Sequence, residues 1–149
     1  MTKPTKIELK FGNPKNGWLP IGLKSQDFEL EFNASNIPEN PVDKLCESLI
    51  LVMNGMEKEI CWNLEPECYF FKLKSSRKGI DFIISKSGGI IENRNLIYEL
   101  NGNFESVILP IYRSLKKFST LEFDKTDWEE IDQIKLNKLT KLITERKNG

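Results

Sequence analysis

Four glutamates lie close together in the middle of the chain, and paired carboxylates can perform general acid and base catalysis when their pKa values differ. They are Glu57, Glu59, Glu65 and Glu67. Glu57 and Glu59 are two residues apart, so in a strand both point to one face. On an exposed face water solvates both carboxylates, so their environments do not differ. The spacing therefore favours an acidic surface row over a catalytic pair.

A second acidic row alternates with apolar residues earlier in the chain. Asp27, Glu29 and Glu31 are separated by Phe28 and Leu30, which predicts a strand with one acidic face. Complementary charge steers association and sets partner choice, so the two rows could bind a basic partner. The alternative is that both rows are simply solvated strand faces.

The chain contains no histidine and three cysteines, Cys46, Cys61 and Cys68. Without histidine there is no Ser-His-Asp triad and no Cys-His pair, and the commonest metal ligand is missing. No glycine-rich phosphate loop replaces them. We therefore expect a protein that is not an enzyme and that has no cofactor and no metal. An odd number of cysteines without a C-x-x-C pair predicts reduced thiols in the cytoplasm.

The charge balance gives no argument for a nucleic acid or a membrane. Lys and Arg total 22 and so do Asp and Glu, for a formal net charge of zero. A basic hairpin could contact phosphates, but the aromatic residues that single-strand binders interleave are missing from its exposed side. Its residues are Lys72, Lys74, Arg77, Lys78 and Lys86. No apolar run is long enough to span a bilayer.

The elements that must position these residues are mostly strands. Alternating apolar residues predict seven strands, marked by Ile7 to Phe11, Leu19 to Leu23, Phe28 to Phe32, Ile60 to Leu64, Tyr69 to Leu73, Ile80 to Ile84 and Leu96 to Leu100. Short connections favour antiparallel pairing. Alternation groups Leu96 with Tyr98 and Leu100 on the core side of the last strand.

Three helices are predicted. Asn40 caps the first, Pro41 occupies its first turn, and Asn54-Gly55 ends it. The second carries an apolar stripe from Phe104 to Phe118, with a kink or a late start at Pro110. The third opens at Thr126, with an apolar side that contains Trp128, Ile131, Ile134, Leu139, Leu142 and Ile143.

The chain of residues 1–149 is therefore expected to form a single α+β domain. We predict a mostly antiparallel sheet of about six to seven strands, packed against two to three helices in the order βββαββββαα. If Trp62, Phe71 and Phe82 face the helices, their neighbours face outward. Phe70, Ile83 and Ile97 then form an apolar outer patch, which can mark a partner site. The alternative is that the carboxy-terminal helix or the curvature of the sheet covers them.

The segment from Asn16 to Leu73 resembles a family of small bacterial proteins of unknown function, some of which are similar to immunity proteins. The resemblance is carried by Asn16-Gly17-Trp18-Leu19-Pro20, Asp27-Phe28-Glu29-Leu30, Ser35, Asn40-Pro41, Leu45, Leu49, Trp62, Glu65-Pro66-Glu67, Tyr69 and Phe71. These are mainly turn and core residues. The resemblance implies a fold and, for the immunity-like members, the binding and blocking of a partner toxin, but it supplies no active site.

We expect a non-enzymatic protein-interaction module, in its most specific form an immunity protein that neutralises a toxin. Its candidate surface is either the acidic rows, with Asp27, Glu29, Glu31, Glu57 and Glu59, or the outer patch, and the protein itself is a monomer or a weak homodimer. The alternative is a small-ligand binding domain. Its pocket would lie between sheet and helices and be lined by Trp62, Tyr69, Tyr98 and Tyr112.

Overall fold

A computed structural model describes residues 6–37, 39–88 and 94–148 and shows an α+β fold. The elements follow the predicted order, with seven strands and three α-helices. They are β1 (Glu8–Phe11), β2 (Trp18–Ser25), β3 (Phe28–Ser35), α1 (Pro41–Met53), β4 (Glu57–Asn63), β5 (Cys68–Ser76), β6 (Gly79–Ser87), β7 (Arg94–Gly102), a π-helical turn (Phe104–Ile108), α2 (Leu109–Ser119) and α3 (Gln133–Asn148).

The seven strands form one sheet in simple sequence order, and every neighbouring pair is antiparallel. Short connections explain this arrangement for all successive strands except β3 and β4, which are separated by α1. The two halves of the sheet meet weakly, because β3 and β4 are paired only at Ser35 and Asn63 within the described chain. The sheet thus consists of a three-stranded and a four-stranded meander joined at one end.

The sheet curves so that its last strand approaches the β2–β3 hairpin. The ring of Tyr98 on β7 stacks on Phe28 at the start of β3, with centroids 4.4 Å apart. The Tyr98 hydroxyl also lies 2.5 Å from the hydroxyl of Ser25, at the end of β2. These contacts bring together strands that are far apart in the sheet order, and they close the apolar inner face around the core.

The predicted assignment of the sheet faces is confirmed. Trp62, Phe71 and Phe82 are all buried on the inner face, with exposed fractions of 2% or less. Trp62 lies at the centre of an aromatic cluster, and its ring centroid is 6.4, 6.0 and 5.5 Å from those of Phe11, Phe32 and Phe71. The odd and even positions of each strand therefore separate a dense core from an outer face.

Helix α1 has the predicted boundaries for the predicted reasons. The Asn40 side chain accepts a hydrogen bond from the Val42 N–H at 3.0 Å, and Pro41 stands in the first turn. At the other end Gly55 has a φ of 84°, and its N–H donates to the Val52 carbonyl. A left-handed residue at this point is what glycine allows. The apolar face of α1 packs on β4 and β5.

The second helix has the predicted late start. A π-helical turn comes first, and Asn103 caps it by accepting from the Ser106 N–H while the Ser106 hydroxyl accepts from the Asn103 N–H. Pro110 then falls within the first two residues of α2, directly after the π-helical turn, so the chain is already helical when it reaches Pro110. Helix α2 packs along β1, and Ser114 donates to the Leu9 carbonyl.

The predicted start of the third helix is wrong by seven residues. The chain turns at Asp124, whose carbonyl accepts from the N–H groups of Asp127 and Trp128. Helix α3 begins only at Gln133, and the Asp132 carboxylate caps it by accepting from the Ile134 N–H at 3.0 Å. Trp128 lies in this irregular connection and is fully buried. Ile134, predicted on the apolar side of the helix, is 82% exposed.

Candidate functional site

The acidic row on β3 lies on the outer face of the three-stranded meander and is partly neutralised. Asp27 is in the β2–β3 turn and is exposed, as are Glu29 and Glu31 on the strand. Glu29 stands opposite Lys24, and its carboxylate is 3.2 Å from the Lys24 ammonium. The hydrogen bond and charge of Glu29 raise the pKa of Lys24. The row is therefore a mixed acidic and basic surface.

A cleft opens beside this row. Glu31 faces Gly22 on β2, which has no side chain, and a methyl group added there would meet nothing within 4 Å. The cleft has a volume of about 630 Å³, and it is lined by residues of β1, β2 and β3 that include Gly22, Lys10 and Asn33. It is a depression in a charged surface and contains none of the predicted ligand-pocket residues.

The second acidic row also has basic partners. Glu57 and Glu59 share the outer face of β4, as predicted, and each pairs with a cation from another strand. The Glu57 carboxylate is 3.5 Å from the Lys72 ammonium. The Glu59 carboxylate is 2.6 Å from the Arg94 guanidinium. The two carboxylates thus bind cations of the protein itself, and the structure does not place them as an acid and base pair.

The outer face of the four-stranded meander carries an apolar patch. The register aligns one row across four strands: Cys61 on β4, Phe70 on β5, Ser85 on β6 and Leu96 on β7. Ile83 belongs to the next row, between Lys72 and Glu99. We call Phe70, Ile83, Leu96 and Ile97 the outer patch. Leu96 is 61% exposed and Ile97 is 37% exposed, so both apolar side chains face solvent.

A β-bulge explains how β7 contributes two apolar residues to this patch. Tyr98 is paired with Ile84, and Leu96 is paired with Ser85, so Ile97 is the extra residue. The bulge changes the alternation of β7, because one additional residue shifts every position before it by one relative to Tyr98 and Leu100. Leu96, which alternation placed on the core side, is therefore on the outer row. No local feature of β7 indicates the bulge.

Arg94 crosses the outer patch. Its guanidinium lies 3.6 Å from the centroid of the Phe70 ring and donates a 2.6 Å hydrogen bond to Glu59. A planar guanidinium on an aromatic face is favourable through the ring quadrupole. One face of Phe70 is thus covered by a side chain from β7. The sequence reasoning missed Arg94, because its partners come from strands far away in the chain.

Two thiols lie at one end of the patch. Cys61 and Cys68 are both free, and they are diagonal neighbours across β4 and β5. Desolvation and the neighbouring Cys68 thiol raise the pKa of Cys61 to about 12, although the nearby Arg94 opposes the rise. Cys46 is different, because it lies in the core, where burial raises its pKa to about 12.

None of the described helices covers the outer patch. Helix α1 packs on the inner side of β4 and β5, helix α2 packs along β1, and helix α3 packs on α1 and α2. The predicted alternative, that the carboxy-terminal helix would cover the patch, is therefore wrong for the described residues. No helix of the described chain has the length and apolarity needed to cross a membrane.

Two of the four aromatic residues predicted to line a ligand pocket, Trp62 and Tyr69, are opposite each other in the β4–β5 register and both contact Phe32, whereas Tyr98 and Tyr112 have other partners. Trp62 is packed among phenylalanines and fully buried, and Tyr69 stacks against Phe32 at 4.8 Å. Tyr98 stacks on Phe28, and Tyr112 donates a hydrogen bond to Thr140 at 2.9 Å. The structure does not bring these four side chains together.

Comparison of the chain with protein-family models, with curated proteins and with solved structures finds no match. Nothing in these comparisons bears on the resemblance to immunity-like proteins, which stays a prediction. Among the described residues, no group of three or more histidine, cysteine, aspartate or glutamate side chains could hold a metal ion.

Proposed function

We propose that the protein is a non-enzymatic interaction module and that it binds a protein partner through the outer patch. The single observation that carries this proposal is the exposure of Leu96 and Ile97 beside Phe70 and Ile83, on a sheet face that no described helix covers. Contiguous apolar surface of this kind is typical of sites where another protein docks. The two acidic rows support a site less well, because lysine and arginine side chains already pair with Glu29, Glu57 and Glu59.

The charges around the outer patch indicate the chemistry of the partner. Glu99 borders Ile83 and has no basic partner in the described part of the chain, whereas Lys72 on the other side is paired with Glu57. A complementary partner would present an apolar surface with a basic group placed near Glu99. Strand β7 also ends the sheet order, so its backbone can contribute hydrogen bonds to the partner.

In its most specific form the partner is a toxin that this protein neutralises, as the sequence resemblance implies. The product of the neighbouring reading frame is then the first candidate. Its affinity for the wild-type protein is measured by titration calorimetry. The main variant is Leu96→Glu, which places a charge within the outer patch.

We expect Leu96→Glu to weaken binding at least about 30-fold, since loss of a central apolar contact in an interface costs about 2 kcal/mol or more. Ile134→Glu is the matched control, because Ile134 is also exposed but lies on α3, away from the sheet. Its affinity should equal that of the wild type. Equal losses in both variants would mean that the effect does not come from the patch.

The acidic rows are the competing surface, and a second variant separates them from the outer patch. Reversing Glu29 and Glu31 to lysine should leave both affinity and association rate unchanged if the outer patch is the site. If the double reversal instead slows association, and the defect shrinks at high salt because ions screen the charges, the partner binds the β3 row. Unchanged binding by Leu96→Glu together with that result would refute the proposed site.

A further inference from the structure

Two of the three cysteines are placed next to each other by the strand register. Cys61 pairs with Phe70, and Cys68 pairs with Asn63, so the two cysteines are diagonal neighbours across β4 and β5. Positions two residues apart on a strand point to the same face. Both thiols therefore lie on the outer face of the four-stranded meander, at the end where the β4–β5 connection begins.

The two side chains are adjacent and accessible. The two thiols are diagonal neighbours in the register, Cys61 is exposed, and Cys68 is half-buried. Cys46, in contrast, has no exposed surface and lies on the apolar face of α1. A reagent in solution can therefore reach the outer-face thiols while the native fold protects the third.

The connection between the two cysteines is held in place by its own hydrogen bonds. The Leu64 N–H donates to the Glu67 carbonyl at 2.7 Å, and the Glu65 N–H donates to the Asn63 side chain at 3.0 Å. The Asn63 amide in turn donates to the Ile37 carbonyl at 2.7 Å. Ordering of the connection in the native fold keeps the thiols close, and this favours reaction within the molecule over reaction with a second molecule.

We propose that Cys61 and Cys68 form a dithiol site that a low-molecular-weight disulfide converts to an internal disulfide, reversibly. The thiolate of one cysteine attacks a sulfur of glutathione disulfide, which releases one glutathione thiolate and leaves a mixed disulfide. The other cysteine loses its proton and attacks the protein sulfur of that mixed disulfide, releasing the second glutathione. The two cysteines lose two electrons and two protons, and glutathione disulfide gains them.

Closure requires a small movement and a deprotonation. Diagonal neighbours in a regular sheet are slightly farther apart than the cysteines of a disulfide, so the ends of β4 and β5 must draw together. Only the thiolate attacks, and the raised pKa of Cys61 means that its attack is slow at neutral pH. Closure should therefore become faster as the pH rises from 7 to 9.

The test exposes the reduced wild-type protein to glutathione disulfide, traps free thiols by alkylation in denaturant, and measures intact mass and digested peptides. We expect the mass of two hydrogens to be lost, one linked peptide containing Cys61 and Cys68, a free Cys46, and full reversal by a reductant. Two retained glutathiones, or a disulfide between two protein molecules, would contradict the proposal. This site does not depend on the outer patch binding a partner.

Single-thiol variants provide the matched controls. Cys61→Ser and Cys68→Ser should each retain one glutathione as a mixed disulfide and form no internal bond. Thermal melts of both variants before oxidation check that the fold is intact, as expected for substitutions at accessible strand positions. If either variant still closes an internal disulfide, Cys46 must be taking part and the pairing is wrong. The wild-type peptide map decides the pairing even if a variant is unstable.

Discussion

Replacing Trp62 with alanine measures how much of the stability resides in the aromatic cluster of the core. Trp62 has no exposed surface and contacts the rings of Phe11, Phe32 and Phe71. A buried tryptophan removes roughly 200 Å² from water, and at about 25 cal/mol per Å² this is worth about 5 kcal/mol. Alanine keeps a small part of that burial, while the cavity it leaves adds a further loss.

One local feature of Trp62 reduces the expected loss. Its indole N–H is buried without a hydrogen-bond partner in the described chain, and the substitution removes this group, whose burial costs about 1 kcal/mol or more. We therefore expect Trp62→Ala to lower the free energy of unfolding by about 3–5 kcal/mol. Trp62→Phe should cost less, since it keeps a ring in the cluster and also removes the unpaired N–H.

Urea melts followed by far-UV circular dichroism provide the measurement, because this signal does not depend on the removed indole. Trp18→Ala is the matched control. Trp18 is 37% exposed on the outer face of β2, so its removal should cost clearly less than the removal of Trp62. A loss of under about 1 kcal/mol for Trp62→Ala, or equal losses for the two tryptophans, would show that the inner face is not the main core.

Two further predictions concern the half-buried carboxylate of Asp43 and the turn at Gly79. Desolvation raises the pKa of Asp43, whose carboxylate accepts the Asp132 N–H at 2.9 Å. The folded state therefore binds the carboxyl proton of Asp43 more tightly than the unfolded state does, and ionisation of Asp43 lowers the stability at neutral pH. Asp43→Asn keeps the acceptor, and urea melts should find it at least as stable at pH 7, with the difference shrinking as the pH falls toward the ordinary value of 3.8. Gly79→Ala should cost about 1–3 kcal/mol, because φ is 120° and the added carbon would lie 2.2 Å from the Gly102 carbonyl oxygen. The added methyl group of Gly22→Ala would meet nothing within 4 Å, so this variant should be about as stable as the wild type. Thermal melts of both glycine variants measure the two effects.

Features set by neighbouring residues were predictable from the sequence. The limits of α1 depend on Asn40, Pro41 and Gly55, which act within one turn of the helix. The burial of Trp62 on the inner face follows from strict alternation along β4. Both depend on local geometry, so a single sequence is sufficient.

Features set by distant residues were not predictable. Helix α3 begins only at Gln133, where the Asp132 N–H donates to Asp43 on α1. Trp128 enters the core from an irregular segment, although its spacing to Ile131 is helical. The bulge at Ile97 exists only relative to β6 and reverses the side on which Leu96 lies. Arg94 reaches Glu59 across two intervening strands, a contact that no sequence spacing encodes.

The weak junction between β3 and β4 has a consequence for how the molecule holds together. Within the described chain, β3 and β4 pair only at Ser35 and Asn63, so few backbone hydrogen bonds link the two meanders. Aromatic side chains link them instead: Phe32 contacts Trp62 and Phe71, and Tyr98 contacts Phe28. Within the sheet, the two meanders are therefore held together by core packing more than by strand pairing.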